Sequence, residues 1–300
     1  MDRTFIIIPV YNEVKVLKKV LEHPALRQYQ LIIVDDGSID NPGYELFNFN
    51  FYLLRHSVNL GQGAALQSGM DYAQILGAKY VVHFDADGQH DPNEIEYLLQ
   101  PLISGKTDVV LGTRFKEGRI SQGSGMPGGR VWILGCAKFV QYFFTCLKLS
   151  DSQNGLRAFS AYAIELIRLR HNRMAHAIEI IHSLSRHNLK IIEMSVTISY
   201  TNYSLQKGQR NFNGFAIVLT LLIDRLLSLY NAFYILVCTN LLTLLIYAGF
   251  KHKCFLVAAA ITTLLLVIFI ILQRLRNKRT AFTEEVRTET IRKALYFKST

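Results

Sequence analysis

Charge is scarce in this sequence. Only 19% of its 300 residues are Asp, Glu, Lys or Arg, against 50% hydrophobic, a greasy balance for a purely soluble enzyme. Cysteine is sparse too. Cys136, Cys146, Cys238 and Cys254 form no Cys-x-x-Cys pair, so they read as small buried hydrophobes in a reducing compartment. The formal net charge is +10, yet there is no zinc-ligand spacing and no RNA-recognition signature, so nucleic acid is not the expected partner. A Gly-x-Gly-x-x-Gly loop is missing: Asn59-Leu60-Gly61-Gln62-Gly63 opens a helix, but the next glycine is Gly69. That excludes a dinucleotide site of the Rossmann kind. No signal-peptide pattern opens the chain. The apolar run Phe5 to Val10 is too short for one and leads into Tyr11-Asn12-Glu13, so it reads as a first buried strand.

Two longer stretches lack charge altogether. Ala232 to Phe250 and Cys254 to Leu272 are each 19 residues without Asp, Glu, Lys, Arg or His, separated by Lys251-His252-Lys253. At a rise of about 1.5 Å per residue, each can cross a hydrocarbon core of roughly 30 Å. Together they predict a transmembrane helical hairpin over residues 232–273, with both chain ends on one side. Arg274, Arg276, Lys278 and Arg279 follow the second span and favour the cytoplasm for that side. Residues 274–300 then form a basic cytoplasmic tail, with eight Lys/Arg against three Glu, suited to anionic headgroups. Residues 211–231 are apolar but broken by Asp224-Arg225, which suits an interfacial or linking helix.

The first two thirds alternate apolar runs with helical spacing. Phe5 to Val10, Leu31 to Val34, Phe51 to Leu54, Lys79 to Phe84 and Asp108 to Gly112 are expected strands. Val16, Leu17, Val20 and Leu21 mark a helix over 13–23, and 63–76 is another. Strands apolar on both faces and separated by helices predict an α/β domain with a mostly parallel sheet flanked by helices, over residues 1–210.

In such sheets ligands bind beyond the carboxyl ends of the strands. Three of these ends are acidic: Tyr11-Asn12-Glu13, Asp35-Asp36-Gly37-Ser38 and Asp85-Ala86-Asp87-Gly88-Gln89-His90-Asp91. Carboxylates crowded this way repel unless a cation compensates them. Asp85 and Asp87, with Gln89 as a neutral oxygen donor, suit a hard divalent ion bridging a diphosphate. Tyr11 offers a stacking face, and Glu13 and Asp36 can accept from a base or a ribose.

In order along the chain, Ile7-Ile8-Pro9-Val10-Tyr11-Asn12-Glu13, Val34-Asp35-Asp36-Gly37-Ser38, Asn59-Leu60-Gly61, Asp85-Ala86-Asp87-Gly88-Gln89-His90 and Gly112-Thr113-Arg114-Phe115 resemble the family 2 glycosyltransferases of the GT-A fold. The nearer likeness is to the branch of dolichol-phosphate mannose synthases and bacterial polyprenyl-phosphate glycosyltransferases, over about residues 4–210. The resemblance implies that Pro9, Tyr11, Glu13, Val34 and Asp36 cradle the nucleoside. It implies that Asp85, Ala86, Asp87 and Gln89 hold diphosphate and metal (Mg²⁺ or Mn²⁺). Arg114 would lie near the sugar phosphate or the acceptor phosphate. Asp151-Ser152-Gln153-Asn154-Gly155-Leu156-Arg157 is similar to a branch segment with Phe in place of Leu156, and Arg157 would contact phosphate. His176 to Glu179 matches a helix with a carboxylate near the sugar. Tyr200 to Arg210 resembles a basic loop closing over the nucleotide. The branch's Arg and Lys are out of register there, so either Lys207 or Arg210 serves.

What the resemblance implies is an inverting transfer from a UDP- or GDP-sugar by one in-line displacement. A polyprenyl phosphate acceptor needs no base, only positioning and charge, with Arg114, Arg130 and Arg157 to hold it. A sugar-hydroxyl acceptor needs a base, Glu179 or Asp151. A non-catalytic membrane scaffold would have lost its metal ligands, whereas Asp85, Asp87 and Gln89 are present. The hairpin favours the lipid acceptor at the cytoplasmic membrane face. Homo-oligomerisation, the donor base and the sugar are left open by the sequence.

Overall fold

Strand β1 (Thr4–Val10) is buried along its whole length, and its side chains divide by parity. Phe5 and Ile7 join one core cluster, whereas Ile6, Ile8 and Val10 join another. This is the two-residue period of a strand covered on both faces. The same division runs through β2 (Gln30–Asp35), where Ile32 and Val34 face the first cluster and Leu31 and Ile33 the second.

The computed structural model describes residues 3–46, 48–114, 142, 145, 147–151, 153–170, 176–199, 271 and 274–294. The chain divides into two compact units, Met1–Gly214 with Glu285–Thr300, and Phe215–Glu284. After β1 come α1 (Val14–Leu21), a 3-10 turn (Pro24–Gln28), β2, α2 (Pro42–Glu45), β3 (Tyr52–Arg55) and α3 (Gln62–Ile75). Then follow β4 (Tyr80–His83), α4 (Glu94–Ile103), β5 (Val109–Thr113), β6 (Arg157–Ser160), α5 (Ala161–Leu166), α6 (His176–Arg186) and β7 (Ile191–Ser195). Residues 274–294 form a last helix, α7.

The seven strands make one sheet in the order β3-β2-β1-β4-β6-β5-β7. Only β6 is antiparallel, to both β4 and β5. The other pairings are parallel, so the expected α/β sheet, mostly parallel and flanked by helices, is what forms. Met70 and Ala73 of α3, Ile164 of α5 and Ile180 and Leu184 of α6 cover one face. Leu17 and Val20 of α1 and Leu98 and Leu99 of α4 cover the other. In α1 the buried residues Val14, Leu17, Val20 and Leu21 repeat every three to four positions, the stripe that a helix must turn to a sheet.

All five strands expected from the apolar runs are present within a residue or two. β6 and β7 were not among them. Arg157-Ala-Phe-Ser is four residues long and starts on a charge, and its apolar content alone does not announce a strand.

The expected hairpin over 232–273 and linking helix over 211–231 lie outside the described residues, except Ile271. Among the described residues no helix is long and apolar enough to cross a membrane. The segment expected as a basic tail is helical over 274–294. Its second half belongs to the catalytic unit: Arg287 pairs with Asp71, Thr290 Oγ1 donates to the Arg55 carbonyl at 3.3 Å, and Val286 packs on Leu60 and Ala64. Arg287 is buried there at 5% exposure, so this basic residue serves an internal ion pair rather than surface charge.

Candidate active site

The chain runs from β1 outward to β2 and β3, then returns to place β4 on the other side of β1. The strand order therefore reverses between β1 and β4, and a crevice opens at their carboxyl ends. The last β1–β4 pair is Ile7↔His83. Pro9 lies two residues further, where its missing N–H leaves no ladder bond unmade on that side. Pro9 is also paired with Val34 of β2, and both are buried. Val34 packs into the core under the sheet.

The loops after β1 and β2 are tied to each other. Asn12 has a left-handed backbone, φ 55°, which asparagine tolerates better than most residues. Its N–H donates to Ser38 Oγ at 3.0 Å, and its side-chain oxygen accepts from Ile39 N–H at 2.9 Å. Val14 N–H donates to Asp40 at 3.0 Å. Tyr11 is 43% exposed, free to present its ring, whereas Glu13 is buried. Gly37 has φ +74°, and a Cβ there would press on the backbone of Val58 and Asn59, so this position admits only glycine without strain.

Asp36 has more partners than its expected role supplies. Its Oδ1 accepts from His56 Nδ1 at 2.7 Å and Leu60 N–H at 2.9 Å, and its Oδ2 from Gly61 N–H at 2.6 Å. The N–H groups of Leu60 and Gly61 in the glycine loop are spent on this carboxylate. The sequence reading missed His56, which no motif marks.

Beyond β4, Asp85 Oδ1 accepts from Gln62 Nε2 at 2.8 Å, and Oδ2 lies 3.8 Å from His90 Nε2. A Cβ at Gly155 would overlap the Asp85 carboxylate, so the glycine is what lets the two segments meet. Burial pushes the Asp85 pKa up, but the hydrogen bond and charge of His90, with His176 and Arg157, outweigh it and hold the group below its ordinary value. Asp87 goes the other way. Burial and the neighbouring Asp85 charge raise it to about 6, against a bond from Gln89 N–H at 3.0 Å. Two carboxylates on one loop thus meet opposite conditions.

Beneath them Arg157 is 3% exposed. Burial lowers its pKa to about 10, against the charges of Asp85 and Asp151, so it stays a cation at neutral pH. His83, opposite Arg157 in the ladder, is fully buried. Burial first, then Arg157 and His176, keep it neutral. Arg114 is clamped by Asp151, Nε to Oδ2 at 2.5 Å and Nη2 to Oδ1 at 2.8 Å. Both Asp151 oxygens are thereby engaged, which argues against its use as a base.

Glu179 is engaged as well: both its oxygens accept from Arg170 N–H at 2.9 Å, so it ties α6 to the segment before it. The expectation of Glu179 as a base near the sugar finds no partner of that kind in this contact. Gln89 uses its backbone, with N–H to Asp87 and carbonyl to Ser199 N–H at 2.9 Å. Arg130, Lys207 and Arg210 lie outside the described residues.

Among the described residues no group of three or more His, Cys, Asp or Glu could by itself hold a metal. The donor set nevertheless fits a hard cation. Asp85 and Asp87 are oxygen donors whose mutual repulsion shows in the raised pKa of Asp87, and Mg²⁺ or Mn²⁺ sites of this kind take their remaining ligands from phosphate and water. Gln62, His90, His176 and Gly155 complete this end of the crevice. All four lie in segments the sequence marks, but none was assigned a part beside Asp85.

A seven-stranded, mostly parallel sheet with an acidic loop at the switch point and a diphosphate-suited carboxylate pair defines a nucleotide-diphospho-sugar transferase. The family model for glycosyl transferase family 2 matches residues 5–168, and the chain belongs to that family, a hexosyltransferase that uses nucleotide sugars. It is 34% identical over 240 residues to the UDP-N-acetylglucosamine–dolichyl-phosphate N-acetylglucosaminyltransferase of Methanococcus voltae, covering 73% of this chain and 94% of that one. It is 30% identical over 176 residues to the polyprenol monophosphomannose synthase of Mycolicibacterium smegmatis, covering 56% and 65%. Among solved structures, glucosyl-3-phosphoglycerate synthase from Mycobacterium tuberculosis with Mn²⁺ and uridine diphosphate aligns at TM-score 0.54 and 16% identity, covering 74% of this chain and 78% of that one. That likeness shows the fold.

Proposed function

We propose that this protein is an inverting, metal-dependent glycosyltransferase that moves a sugar from a UDP- or GDP-sugar to a polyprenyl phosphate at the cytoplasmic face of a membrane. The observation that carries the reading is the Asp85–Asp87 pair at the β1–β4 switch point, over the buried Arg157. The named relatives are a dolichyl-phosphate N-acetylglucosaminyltransferase and a polyprenol monophosphomannose synthase, which supports the acceptor class. The sequence from 232 to 273 supports a two-span anchor with both chain ends cytoplasmic.

Asp85 and Asp87 would hold a divalent cation, Mg²⁺ or Mn²⁺, which supplies charge neutralisation for the departing diphosphate. Tyr11 and Asp36 meet the nucleoside, and Lys207 or Arg210 closes over it. Arg157 balances the negative charge of Asp85 and Asp151 from below. Arg114, held in a fixed orientation by Asp151 and with a side chain 16% exposed, meets the acceptor phosphate along with Arg130. An acceptor phosphate oxygen bonds to the anomeric carbon as the bond from that carbon to the diphosphate oxygen breaks, with inversion. The oxygen is already ionised, so no residue takes a proton. Both candidate bases for a hydroxyl acceptor, Glu179 and Asp151, are engaged with protein donors, which favours the phosphate acceptor.

The test is incubation of membranes containing the protein with labelled nucleotide sugars and polyprenyl phosphate. An organic-extractable, mild-acid-labile glycolipid is the expected product. Its absence with every common donor sinks the reading.

A further inference from the structure

We infer that His56 is a positioning residue for the donor nucleoside, acting through the Asp36 carboxylate. The inference rests on the proposed reading that a nucleoside meets Asp36, and goes beyond it by assigning the residue that orients this group. An ionised carboxylate only accepts hydrogen bonds. The 2.7 Å contact to Asp36 Oδ1 therefore places a proton on His56 Nδ1. The other ring nitrogen, Nε2, lies 2.9 Å from Ser68 Oγ in α3. In the neutral ring Nε2 accepts, and the serine hydroxyl donates. His56 is 1% exposed and Ser68 is fully buried, so neither group exchanges its partner for water. The backbone holds the same arrangement, since His56 N–H donates to the Asp35 carbonyl at 2.9 Å. A chain of contacts thus runs from the end of β2, through the residue after β3, to the body of α3.

A carboxylate offers about four acceptor sites. His56 and Leu60 N–H take both on Oδ1, and Gly61 N–H takes one on Oδ2. The site remaining on Oδ2 is the one a base N–H or a ribose hydroxyl can use. Leu60 and Gly61 belong to a loop that leads into α3, so the N–H groups fix where the carboxylate lies. His56 fixes the plane in which it lies, and hence the direction of the remaining lone pair. An apolar residue would fill the same buried volume without an imidazole to desolvate. A polar one is explained by the orientation it imposes.

The experiment uses the full-length protein in detergent with Mn²⁺ and compares wild type with His56→Phe, His56→Asn and Ser68→Ala. The dissociation constants of UDP and GDP, donor KM and kcat, and the melting temperature are measured. His56→Phe is expected to weaken nucleoside diphosphate binding and raise donor KM by about tenfold, with kcat within about threefold, as expected for loss of one hydrogen bond to a charged group. His56→Asn keeps an N–H near the Nδ1 position and is expected to restore binding to within about threefold of wild type. Ser68→Ala is expected to weaken binding about threefold by freeing the ring. A lowered melting temperature with unchanged dissociation constants in all variants overturns the inference and leaves a structural role only. So does His56→Asn behaving like His56→Phe. If His56→Phe does not fold, Ser68→Ala decides, and an unchanged dissociation constant there overturns it. A wild-type protein that binds neither nucleotide overturns the donor reading and this inference together, whereas wild-type binding with unaffected variants overturns this inference alone.

Discussion

The two acidic ends of the crevice are built on opposite principles. At the β2 end, Asp36 is 3% exposed and takes three hydrogen bonds from the protein. At the β4 end, Asp85 is held below its ordinary pKa by its neighbours, whereas burial and the Asp85 charge raise Asp87, two residues on, to about 6. The first carboxylate is nearly satisfied by folding, with one Oδ2 site left over, whereas Asp87 at the second end is left in electrostatic debt for something that arrives later. A folded protein keeps such a repulsion only where it is useful to keep.

The widest separation of the two ends should appear in activity. Asp87→Asn is expected to lower the transfer rate by about a thousandfold or more, because several kcal/mol of charge stabilisation at the diphosphate depend on this ligand. The readout is glycolipid formation at saturating donor and metal. A loss below tenfold would remove Asp87 from the metal reading. Gly155→Ala comes next. Its Cβ must displace the Asp85 carboxylate, and a shift of about an ångström at a reacting centre costs on the order of a hundredfold. Normal activity would mean that Asp85 can move without consequence.

Stability should separate the ends by sign. The folded-state pKa of Asp87 lies above its unfolded value, so this group favours folding below about pH 4 and loses that contribution as pH rises to about 6. Without metal at pH 7, Asp87→Asn is therefore expected to be more stable than wild type, on the order of 2 kcal/mol after allowing for partial exposure. Asp36→Asn removes a satisfied acceptor and is expected to be less stable by about 1–3 kcal/mol. Urea denaturation at pH 5 and pH 7 measures both, and two changes of the same sign would break the comparison. The smallest effect is expected at Glu179→Gln. One amide oxygen can still accept from Arg170 N–H, so transfer to a lipid phosphate should stay within about threefold. A loss of about a hundredfold or more would restore the carboxylate as a base.

Much of this was legible in the sequence wherever chemistry and periodicity coincide on neighbouring residues. Ile6 to Val10 could only be a strand buried on both faces, and Asp85-Ala86-Asp87 could be placed at a strand end because Val81 to Phe84 precede it. What the sequence concealed depends on partners far apart. His56 lies 20 residues from Asp36, and Arg114 lies 37 from Asp151, so no local pattern records either pair. Arg157 read as a phosphate ligand, and its burial was not foreseen. It is buried because β6 slots between β4 and β5, and an antiparallel strand inserted from downstream leaves no trace in the spacing of the parallel ones. Glu179 shared a helix with His176, whose charge reaches Asp85, yet its carboxylate is taken by the Arg170 N–H nine residues back, a contact no local pattern records.

Arg287 and Thr290 have a consequence for the order in which the protein is made. Their partners, Asp71 and Arg55, lie 216 and 235 residues earlier in the chain. A ribosome completes the sheet strands and the acidic loops long before it reaches residue 287. During that interval the contacts that Val286, Arg287 and Thr290 make with Leu60, Ala64, Asp71 and Arg55 are missing. Translation of all 70 residues of the second unit, Phe215–Glu284, thus precedes these contacts within the first, which form only after the chain between has been made.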